Sequence, residues 1–464
     1  MTPAPHPGMM TDDELCDLVR RGDIDTVLAV FPDLYGRLVG KRISGHFFRE
    51  EVSRHGMHVC DYLLACDMEM DPVPGYRFTS WADGYGDVLC RPDLSTLRRA
   101  TWLDRTALVL CDVLDAERDV LVEVAPRTIL KRQVERATAA GFTAMGGSEL
   151  EFFILRETYE SAQKKGFDNL EPFGWYIEDY HTLQGFKTEG LVGAIRRHLD
   201  ASGVPIEFSK GEWGPGQHEI NFRYAGFLET ADRHVIFKQA AKEIAIQQNL
   251  AVTFMAKLDE RYAGSSTHLH SSLRSSDGTP LFATSRPGPG QDVQLPDVFR
   301  WWLGGLMRHA RASALLFAPY VNSYKRFRAG SFAPTGIAWS YDNRTAGFRI
   351  VGHGPSTRVE CRIPGADANP YLALAATLAA GLDGIANRIE PPPMFRGDVY
   401  AAEGLPTVPR SLPEAIAEFE ASAMVRDAFG AEVVQHLLHF ARTEQRKFDE
   451  TVTTWERRRY LERA

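Results

Sequence analysis

The stretch GGSELEFFIL, residues 146–155, has the composition of a buried β-strand, yet it carries two carboxylates, Glu149 and Glu151. Side chains alternate between the two faces of a strand, so these carboxylates point to the same side. Two like charges in apolar surroundings are unfavourable unless a positive group lies between them. The stretch alone leaves two interpretations open: an exposed strand with a solvated acidic face, or a strand that faces a cation.

The chain as a whole has the composition of a soluble globular protein, with 464 residues, 44% of them hydrophobic and 25% charged. Its net charge is −8 and it has no long basic cluster, so we expect neither nucleic acid nor an anionic membrane as a partner. The opening segment MTPAPHPGMMTDDEL has no signal-like apolar core, and no run reaches membrane-spanning length. The six cysteines are scattered without a CxxC pair, which indicates reduced thiols and a cytoplasmic location.

The order of local patterns predicts two domains, a small β-rich one over residues 1–120 and a larger one over residues 121–464. In the first, Thr11 and Glu14 form a capping box that begins a helix. Strand patterns follow in TVLAVFPDLYGRLVGKRI and ALVLCDVL. In the second we predict helices over residues 126–141, 229–250 and 369–389, a strand over 143–155, surface loops at 286–295 and 391–412, and amphipathic helices from about residue 415.

Charged side chains also recur in other predicted strands. Glu212 precedes a Gly-Pro turn in GEWGPGQHEINFRY, and Glu219 follows it. The remaining groups are Glu219, Asn221 and Arg223 on one strand face, His268 and His270 in THLHSSL, Arg344 and Arg349 in DNRTAGFRI, and Arg358, Glu360 and Arg362 in RVECRIPG. Taken singly, each group is explained by a satisfied core residue or by cross-strand ion pairs at a sheet edge.

Taken together, these groups favour a site for hard divalent cations. Several carboxylates with one or two imidazoles suit Mg²⁺ or Mn²⁺, whereas zinc would favour Cys or more His. The arginines are fork-shaped donors for phosphate or carboxylate oxygens. No P-loop signature is present, so the phosphates of a nucleotide would be held by metals and side chains. Two metals with several arginines indicate phosphoryl transfer from ATP.

Six motifs in order, GSELEFF, GPGQHEINFRY, THLHSSL, NSYKR, DNRTAGFRI and RVECRIPGADANPYLALAA, resemble the glutamine synthetase superfamily of the bacterial type I lineage. The resemblance runs from about Val27 to the C-terminus. It implies an α+β fold, with an N-terminal β-grasp-like domain and a C-terminal catalytic domain whose curved antiparallel sheet is flanked by helices. It also implies a ring-shaped homo-oligomer, commonly a dodecamer of two stacked hexameric rings, with active sites between neighbouring subunits.

The resemblance assigns roles to residues whose positions match the family motifs. The metal ligands it implies are Glu151, Glu212 and Glu219 for one ion, and Glu149, His268 and Glu360 for the second. The ATP-binding residues it implies are Glu207, Tyr224, His270, Ser272 and Arg358. The residues implied for glutamate and the transferred phosphate are Gly264, Arg326 at the α-carboxylate, Arg344 and Arg349 at the phosphate, and Arg362 near the acyl oxygen. Gly264 follows Ala263, where ammonia-using members typically have Asn.

The chemistry implied by the family is a two-step ligation. ATP phosphorylates the γ-carboxylate of glutamate to an acyl phosphate, an amine attacks, and phosphate leaves. Arginines and two or more Mg²⁺ or Mn²⁺ ions per site would stabilise the charge that develops on the transferring group. On this interpretation, Glu149 and Glu151 share a strand face because each serves a different metal ion.

The sequence departs from ammonia-using members at two acidic positions. Their flap glutamate, six residues after the arginine of NSYKR, is replaced here by Phe332. Their acidic DGSS loop from the neighbouring subunit has no match; a gapped alignment places Arg77 there, and Asp71 or Asp83 remain alternatives. Ammonium must be held by negative charge and then lose a proton before it attacks. A phenyl ring instead predicts an organic amine as acceptor, and hence a γ-glutamyl-amine ligase.

Two further points stay open at the level of sequence. Phe327, Phe332, Trp339 and Tyr341 either line the amine pocket, which would favour a neutral or aromatic tail over a polycation, or only pack the flap. Tyr400 lies near the position where some family members are adenylylated, but the local match favours a surface tyrosine. The alternative functions are an ammonia-using glutamine synthetase with a relocated acid, and a non-catalytic structural or regulatory protein.

Overall fold

The computed structural model describes residues 6–288 and 291–464, whose strands form two sheets. Residues 1–5 of the opening segment, and residues 289–290 of the predicted loop 286–295, lie outside the described residues. In the part of the chain described, no helix is long and apolar enough to cross a membrane. All six cysteines are free thiols, as their scatter along the sequence predicts.

The first sheet is six-stranded and lies in the N-terminal part of the chain. Its strands are β1 (Thr26–Pro32), β2 (Leu38–Ser44), β3 (Met57–Cys60), β4 (Asp87–Pro92), β5 (Arg98–Arg99) and β6 (Thr106–Asp115). The order is β2-β1-β6-β4-β3, with β5 paired to β6, and only the β1–β6 pairing is parallel. Helix α1 (Asp12–Arg21) begins at the predicted capping box and buries Leu15 and Leu18.

The second sheet is nine-stranded and carries most of the predicted site residues. Its strands are β7 (Phe142–Leu155), β8 (Ile206–Gly211), β9 (Gln217–Phe222), β10 (Ala225–Gly226), β11 (Ala251–Thr253), β12 (Thr267–Ser275), β13 (Trp339–Tyr341), β14 (Phe348–Val351) and β15 (Arg358–Cys361). The order is β13-β14-β15-β12-β7-β9-β8, with β10 and β11 paired to β7. The pairings are antiparallel except β13 with β14, so the predicted antiparallel sheet is confirmed.

The surroundings of strand β7 explain why its apolar sequence carries two carboxylates. Leu150, Phe152 and Ile154 are fully buried in an apolar cluster with side chains of two helices behind the sheet. Those helices are α6 (Thr182–Asp200) and α7 (Phe227–Gln247). Because side chains alternate along the strand, Glu149 and Glu151 lie on the opposite face. The strand is therefore buried on both sides, with an apolar face toward the helices and a charged face toward a cavity.

The other helices are distributed along the whole chain, with α2 and α3 in its N-terminal part. They are α2 (Gly45–Phe47), α3 (Ser53–His55), α4 (Pro126–Ala139), α5 (Tyr159–Lys164), α8 (Asp297–Arg308), α9 (Ala310–Phe317), α10 (Pro370–Ala386), α11 (Leu412–Ala421), α12 (Ala423–Phe429), α13 (Ala431–Asp449) and α14 (Thr454–Tyr460). The predicted helices at 126, 229 and 369 and the C-terminal helices are confirmed. Helices α5, α6, α8 and α9 were not predicted; α6, for example, begins without a side-chain cap at His181, so its start has no local signal.

Two contacts tie the N-terminal sheet to the rest of the chain. Asn369 caps α10 and its amide also donates to the carbonyls of Asp33 and Leu34, at 3.1 and 3.0 Å. Arg127 in α4 is 3% exposed and pairs with Asp93 and Asp112 of the N-terminal part and with Asp232 of α7. A buried charge is tolerated only when it is fully paired, so this cluster fixes the two parts against each other.

Candidate active site

Cross-strand register places the predicted charged residues beside one another on a single face of the second sheet. The opposed pairs are Glu149 with His268, Glu151 with Glu219, and Glu360 with both His270 and Arg349. Opposed residues in antiparallel strands have Cβ atoms about 5 Å apart. Residues that are distant in sequence thus meet because β9, β7, β12, β15 and β14 are consecutive neighbours in the sheet.

The first group of possible metal ligands is Glu149, His268 and Glu360, whose ligand atoms lie close together. His268 Nδ1 is 3.2 Å from a Glu149 oxygen and 3.4 Å from a Glu360 oxygen. Burial opposes ionisation of Glu360, but Arg362 and His268 outweigh it and lower its pKa to about 2. Burial likewise opposes ionisation of Glu149, but His270 and His268 hold its pKa well below the usual range. Both carboxylates are therefore ready to bind a cation.

The second group is Glu151, Glu219 and His268, all buried. One Glu151 oxygen accepts from the backbone N–H of Ser266 at 2.8 Å and the other from its hydroxyl at 2.7 Å, which orients the carboxylate. Burial and the neighbouring Glu212 carboxylate raise the pKa of Glu151 to about 7. Burial and nearby carboxylates raise the pKa of Glu219 well above its usual range. Negative charge at this position is thus under-compensated by the protein's own cations.

This donor set fits divalent cations. Carboxylate oxygens with one imidazole are ligands that Mg²⁺ and Mn²⁺ accept. A bound cation would offset the burial and the repulsion that raise the pKa of Glu151 and Glu219. Glu212, the third ligand implied for this ion, instead directs its carboxylate to the ammonium group of Lys210. Lys210 therefore neutralises Glu212 in this structure.

The four predicted arginines line one cavity together with these carboxylates. They are Arg326, Arg344, Arg349 and Arg362. Arg349 donates to Glu360 at 3.0 Å and also pairs with Asp342, and Arg362 pairs with Glu360. Within the described residues, the Nε atoms of Arg326, Arg349 and Arg362 have no hydrogen-bond partner. Buried donors without a partner are costly, so these groups are suited to an anionic substrate.

Gly264 lies directly against Arg326. A Cβ atom at this position would stand 2.3 Å from Arg326 Cγ and 2.7 Å from the carbonyl oxygen of Ala256. Any larger residue would displace the arginine side chain, whose Nη2 donates to the carbonyl of Ile363. The glycine is therefore needed to seat Arg326, and this close approach gives the predicted Gly264 a physical reason.

The site consists of two cavities that meet at the charged face. The first, about 270 Å³, contains the carboxylates and arginines, and the second is about 480 Å³. Glu149, Phe208 and Asn221 line both. The two cavities therefore form one continuous site with a junction at β7 and β9.

The second cavity contains all five residues implied for ATP. They are Glu207, Tyr224, His270, Ser272 and Arg358. His270 Nε2 is 2.8 Å from Glu149, and Arg358 Nε donates to His270 Nδ1 at 3.0 Å. Arg274 also lines this cavity and donates to the Tyr224 hydroxyl at 3.2 Å. Arg274 was missed, although its position after the HLHSS motif on β12 signals it.

Part of the wall of the first cavity is aromatic. Phe332 and Trp213 pack edge to face with ring centroids 5.5 Å apart, and Tyr180 and Phe208 line the same cavity. Phe332 lies in the left-handed region with φ 58°, so the flap backbone itself directs this side chain. Trp213 was not predicted, although it directly follows Glu212. Tyr180 lies in a loop whose sequence carries no signal of its place.

Of the four aromatic residues near the flap, only Phe332 lines the cavity. Trp339 is buried and its indole N–H donates to the Pro392 carbonyl at 2.6 Å. The Tyr341 hydroxyl donates to the Gly352 carbonyl at 2.9 Å, and Phe327 packs on Tyr324 with centroids 6.1 Å apart. Three of the four therefore pack the structure around the flap.

The other residues that the sequence suggested for the acceptor site or for modification do not line these two cavities. In the described part of the chain, Asp71, Arg77 and Asp83 do not line either cavity, and their proposed role in a neighbouring subunit stays a prediction. Tyr400 is half-buried, and its hydroxyl donates to the carbonyl of Ala333 at 3.0 Å. Tyr400 thus supports the flap from behind and is not a simple surface residue.

The second sheet thus presents two groups of possible metal ligands beside two adjoining cavities. A family model described as the glutamine synthetase catalytic domain matches residues 123–460, and the chain belongs to this family.

The curated relatives and a solved structure agree with this assignment. The chain is 47% identical over 451 residues to gamma-glutamylethanolamide synthetase GlnA4 of Streptomyces coelicolor, covering 97% of this chain and 96% of that protein. It is 34% identical to the glutamate–isopropylamine ligase of Pseudomonas sp, covering 96% of this chain and 97% of the ligase. A structure of a GmaS/ADP complex superposes with a TM-score of 0.83 at 28% identity, covering 97% of this chain and 100% of that one.

Proposed function

We propose that this protein is an ATP-dependent ligase that joins the γ-carboxylate of glutamate to a primary organic amine through γ-glutamyl phosphate. The observation that carries the proposal is the aromatic wall of Phe332 and Trp213 at the acceptor end of the cavity. The family resemblance implies that members which use ammonium have a carboxylate at the position of Phe332. The two relatives named above as ethanolamide synthetase and isopropylamine ligase support the same assignment.

Glutamate is placed by the arginines of the first cavity. Arg326, seated against Gly264, would bind the α-carboxylate with a planar pair of N–H donors. Arg362 lies beside the flap, with one donor on the Phe332 carbonyl at 3.3 Å, and would hold the oxygen of the γ-carboxylate. Together they fix the γ-carboxylate at the junction with the nucleotide cavity, where an in-line transfer requires it.

ATP would occupy the larger cavity, with Glu207, Tyr224, His270, Ser272 and Arg358 around it. Arg344 and Arg349 would steady the transferred phosphoryl group from the first cavity. Glu149, His268 and Glu360 would hold one Mg²⁺ or Mn²⁺ ion, and Glu151, Glu212 and Glu219 a second. Bound ions supply Lewis-acid stabilisation of the phosphoryl oxygens.

The acceptor reacts in the second step. The neutral amine nitrogen forms a bond to the γ-carbon, and the bond from that carbon to the phosphate oxygen breaks with its electron pair leaving on phosphate. The nitrogen then gives its proton to the departing phosphate. Phe332 and Trp213 exclude water from the acyl phosphate, which suppresses its hydrolysis. They also offer apolar surface to the carbon substituent of the amine, which ammonium cannot use.

Phosphate release by the purified protein with ATP, Mg²⁺ and glutamate tests this proposal. The acceptors are ammonium, ethanolamine, isopropylamine, butylamine and aniline, and the mass of each product is determined. We expect turnover with at least one organic amine and little with ammonium. Turnover with ammonium alone would show that another acid replaces the flap glutamate. ATP hydrolysis without an amide product, or no turnover with any acceptor, would contradict the ligase assignment.

We further propose a homo-oligomeric ring, a dodecamer of two stacked hexamers, in the cytoplasm. The family membership and the free thiols support this proposal. Light scattering coupled to size-exclusion chromatography measures the mass of the assembly. A monomer that turns over the amine at full rate would contradict the shared active site.

A further inference from the structure

A lysine lines the first cavity three residues before Trp213 in the chain. Lys210, near the end of β8, is 15% exposed and pairs with Glu212. Its Nζ lies 3.9 Å from a carboxylate oxygen of Asp179 and 4.4 Å from the centroid of the Tyr180 ring. A cation over an aromatic face and beside two carboxylates is held in place. The cavity therefore contains an ammonium group of the protein itself, held beside Glu212 and Asp179.

The surroundings of this lysine are anchored to the acceptor wall. The backbone N–H of Asp179 donates to the Glu212 carbonyl at 3.1 Å, and that of Tyr180 to the Gly211 carbonyl at 3.4 Å. Trp213, whose ring packs on Phe332, directly follows Glu212 in the chain. Lys210, Tyr180 and Trp213 therefore form one structural unit, and an amine tail along Phe332 and Trp213 would come close to the Lys210 ammonium.

Once metal ions are bound, the carboxylates that line the first cavity are engaged by the ions or by Lys210. These carboxylates are Glu149, Glu151, Asp179, Glu212 and Glu219. Four of them are the ligands proposed for the metal ions. The fifth, Asp179, faces Lys210 and makes no hydrogen bond through its side chain within the described residues, so it is the partner left for Lys210 when Glu212 binds a metal. A diamine would bring its second ammonium group into a region that already holds one.

We infer that Lys210 is a specificity-determining residue, which makes the enzyme select monoamines with uncharged tails and reject diamines and polyamines; this inference rests on the proposed amine-ligase function. Two like charges several ångströms apart in a partly buried pocket repel by enough to change a rate roughly tenfold or more. An alkyl or hydroxyl tail of the same length meets only the aromatic wall and is not penalised.

The test compares butylamine with 1,4-diaminobutane, which differ by one terminal charge at equal length. The measured quantity is the ratio of kcat/KM for the two acceptors, in the wild type and in Lys210→Met, Lys210→Gln and Lys210→Arg. Contributions of ATP, glutamate and metal binding cancel in this ratio. Lys187→Met is the matched control, since Lys187 Nζ also lies over a ring, 3.9 Å from the Trp175 centroid, but does not line the cavity.

The expected wild-type ratio favours butylamine by at least about tenfold, and Lys210→Met or Lys210→Gln lowers it by roughly tenfold. Lys210→Arg and Lys187→Met keep the wild-type ratio. Equal use of the two acceptors by the wild type would overturn the inference, and so would an unchanged ratio in both uncharged variants. If the uncharged variants do not fold, the wild-type and Lys210→Arg ratios decide. A wild type that uses ammonium but no organic amine would overturn the proposed function, and the inference with it.

A simple counter-ion role for Lys210 gives a different result. In that case Lys210→Met would change the affinity for Mn²⁺, measured by titration calorimetry without ATP, and leave the ratio of the two amines as in the wild type. The paired measurements thus distinguish a residue that determines which acceptor is used from one that only neutralises Glu212.

Discussion

Two regions that line one cavity are built differently: the metal face, formed by the carboxylates and His268 of the second sheet, and the acceptor wall, formed by Phe332 and Trp213. The metal face is made by strands, and Glu149, His268 and Glu360 are brought together by register. The acceptor wall is made largely by residues outside the strands, with Phe332 and Trp213 meeting ring to ring although about a hundred residues separate them in the sequence. Glu151, Glu219, His268 and Glu360 are buried, whereas Phe332, Trp213 and Tyr180 are exposed.

This difference separates common chemistry from acceptor choice. A strand position is fixed by the pairing of the whole sheet, so a change there disturbs several neighbours at once. A loop position changes with little effect on the fold. We therefore expect substitutions at the metal face to abolish every reaction of the protein, and substitutions at the wall to change which amine is used.

The largest effect is expected from Glu360→Gln. Glu360 accepts from Arg349 at 3.0 Å, pairs with Arg362 and lies 3.4 Å from His268 Nδ1. The amide keeps the size but loses the charge, so phosphate release should fall by roughly a thousandfold with every acceptor. Phosphate assays and Mn²⁺ titration measure the loss.

Glu171→Gln, at a glutamate with 67% of its side chain exposed, is the matched control and should retain full activity. A Glu360→Gln protein that still turns over one amine at the wild-type rate would break the distinction between the two regions, because common chemistry would then not depend on the metal face.

The next effect is expected from Phe332→Glu, which changes the wall and leaves the metal face intact. A carboxylate there supplies the charge and the proton acceptor that ammonium needs. The ratio of kcat/KM for ammonium to that for butylamine should rise by about a hundredfold. Ala329→Glu, at an exposed position three residues earlier that does not line the cavity, is the control. An unchanged ratio would mean that the flap side chain is not the main determinant of acceptor choice.

The sequence predicts the metal face because its signal is periodic. Glu149 with Glu151 and His268 with His270 alternate on strands, and paired strands make such residues neighbours. Gly264 and Arg326 were identified from motifs, and their contact is visible only in three dimensions. Asp179 and Tyr180 could not be predicted, since a loop's position depends on backbone contacts such as that from Asp179 to Glu212. Lys210 was missed because it lies on β8, a strand that the sequence analysis did not predict.

A third variant, at His436, tests the stability of the fold at a position outside both the metal face and the acceptor wall. His436 on α13 is buried against the Tyr76 ring, and its Nε2 lies 2.9 Å from the Leu64 carbonyl. Burial lowers its pKa to about 4. The pKa of this histidine in the folded state lies below its value of about 6.5 in the unfolded state. As pH falls from about 6.5 to 4, the unfolded state binds a proton that the folded state does not bind. The folded state therefore has its full stability above about pH 6.5 and loses stability over this range.

Between pH 7 and pH 5 the wild type should therefore lose on the order of 2 kcal/mol of unfolding free energy through His436. His436→Asn should lack this component, as urea denaturation at the two pH values would measure, and His353→Asn at an exposed position is the control. Equal pH dependence in the wild type and His436→Asn would contradict the assignment. Neither variant should change the choice of amine.

The smallest effect is expected from Tyr400→Phe, which tests how far the acceptor wall depends on its support. The Tyr400 hydroxyl donates to the Ala333 carbonyl at 3.0 Å, directly behind Phe332. Its loss leaves one carbonyl without this donor, which costs about 1 kcal/mol of stability, and a slightly looser flap should raise the KM for the amine by no more than about threefold. Tyr460→Phe, at an exposed tyrosine, is the control. A loss of kcat with ammonium and butylamine alike would show that Tyr400 acts on the chemistry shared by all acceptors. The flap would then take part in the chemistry common to all acceptors, as the metal face does. Acceptor choice would then have to be assigned to residues other than those of the flap.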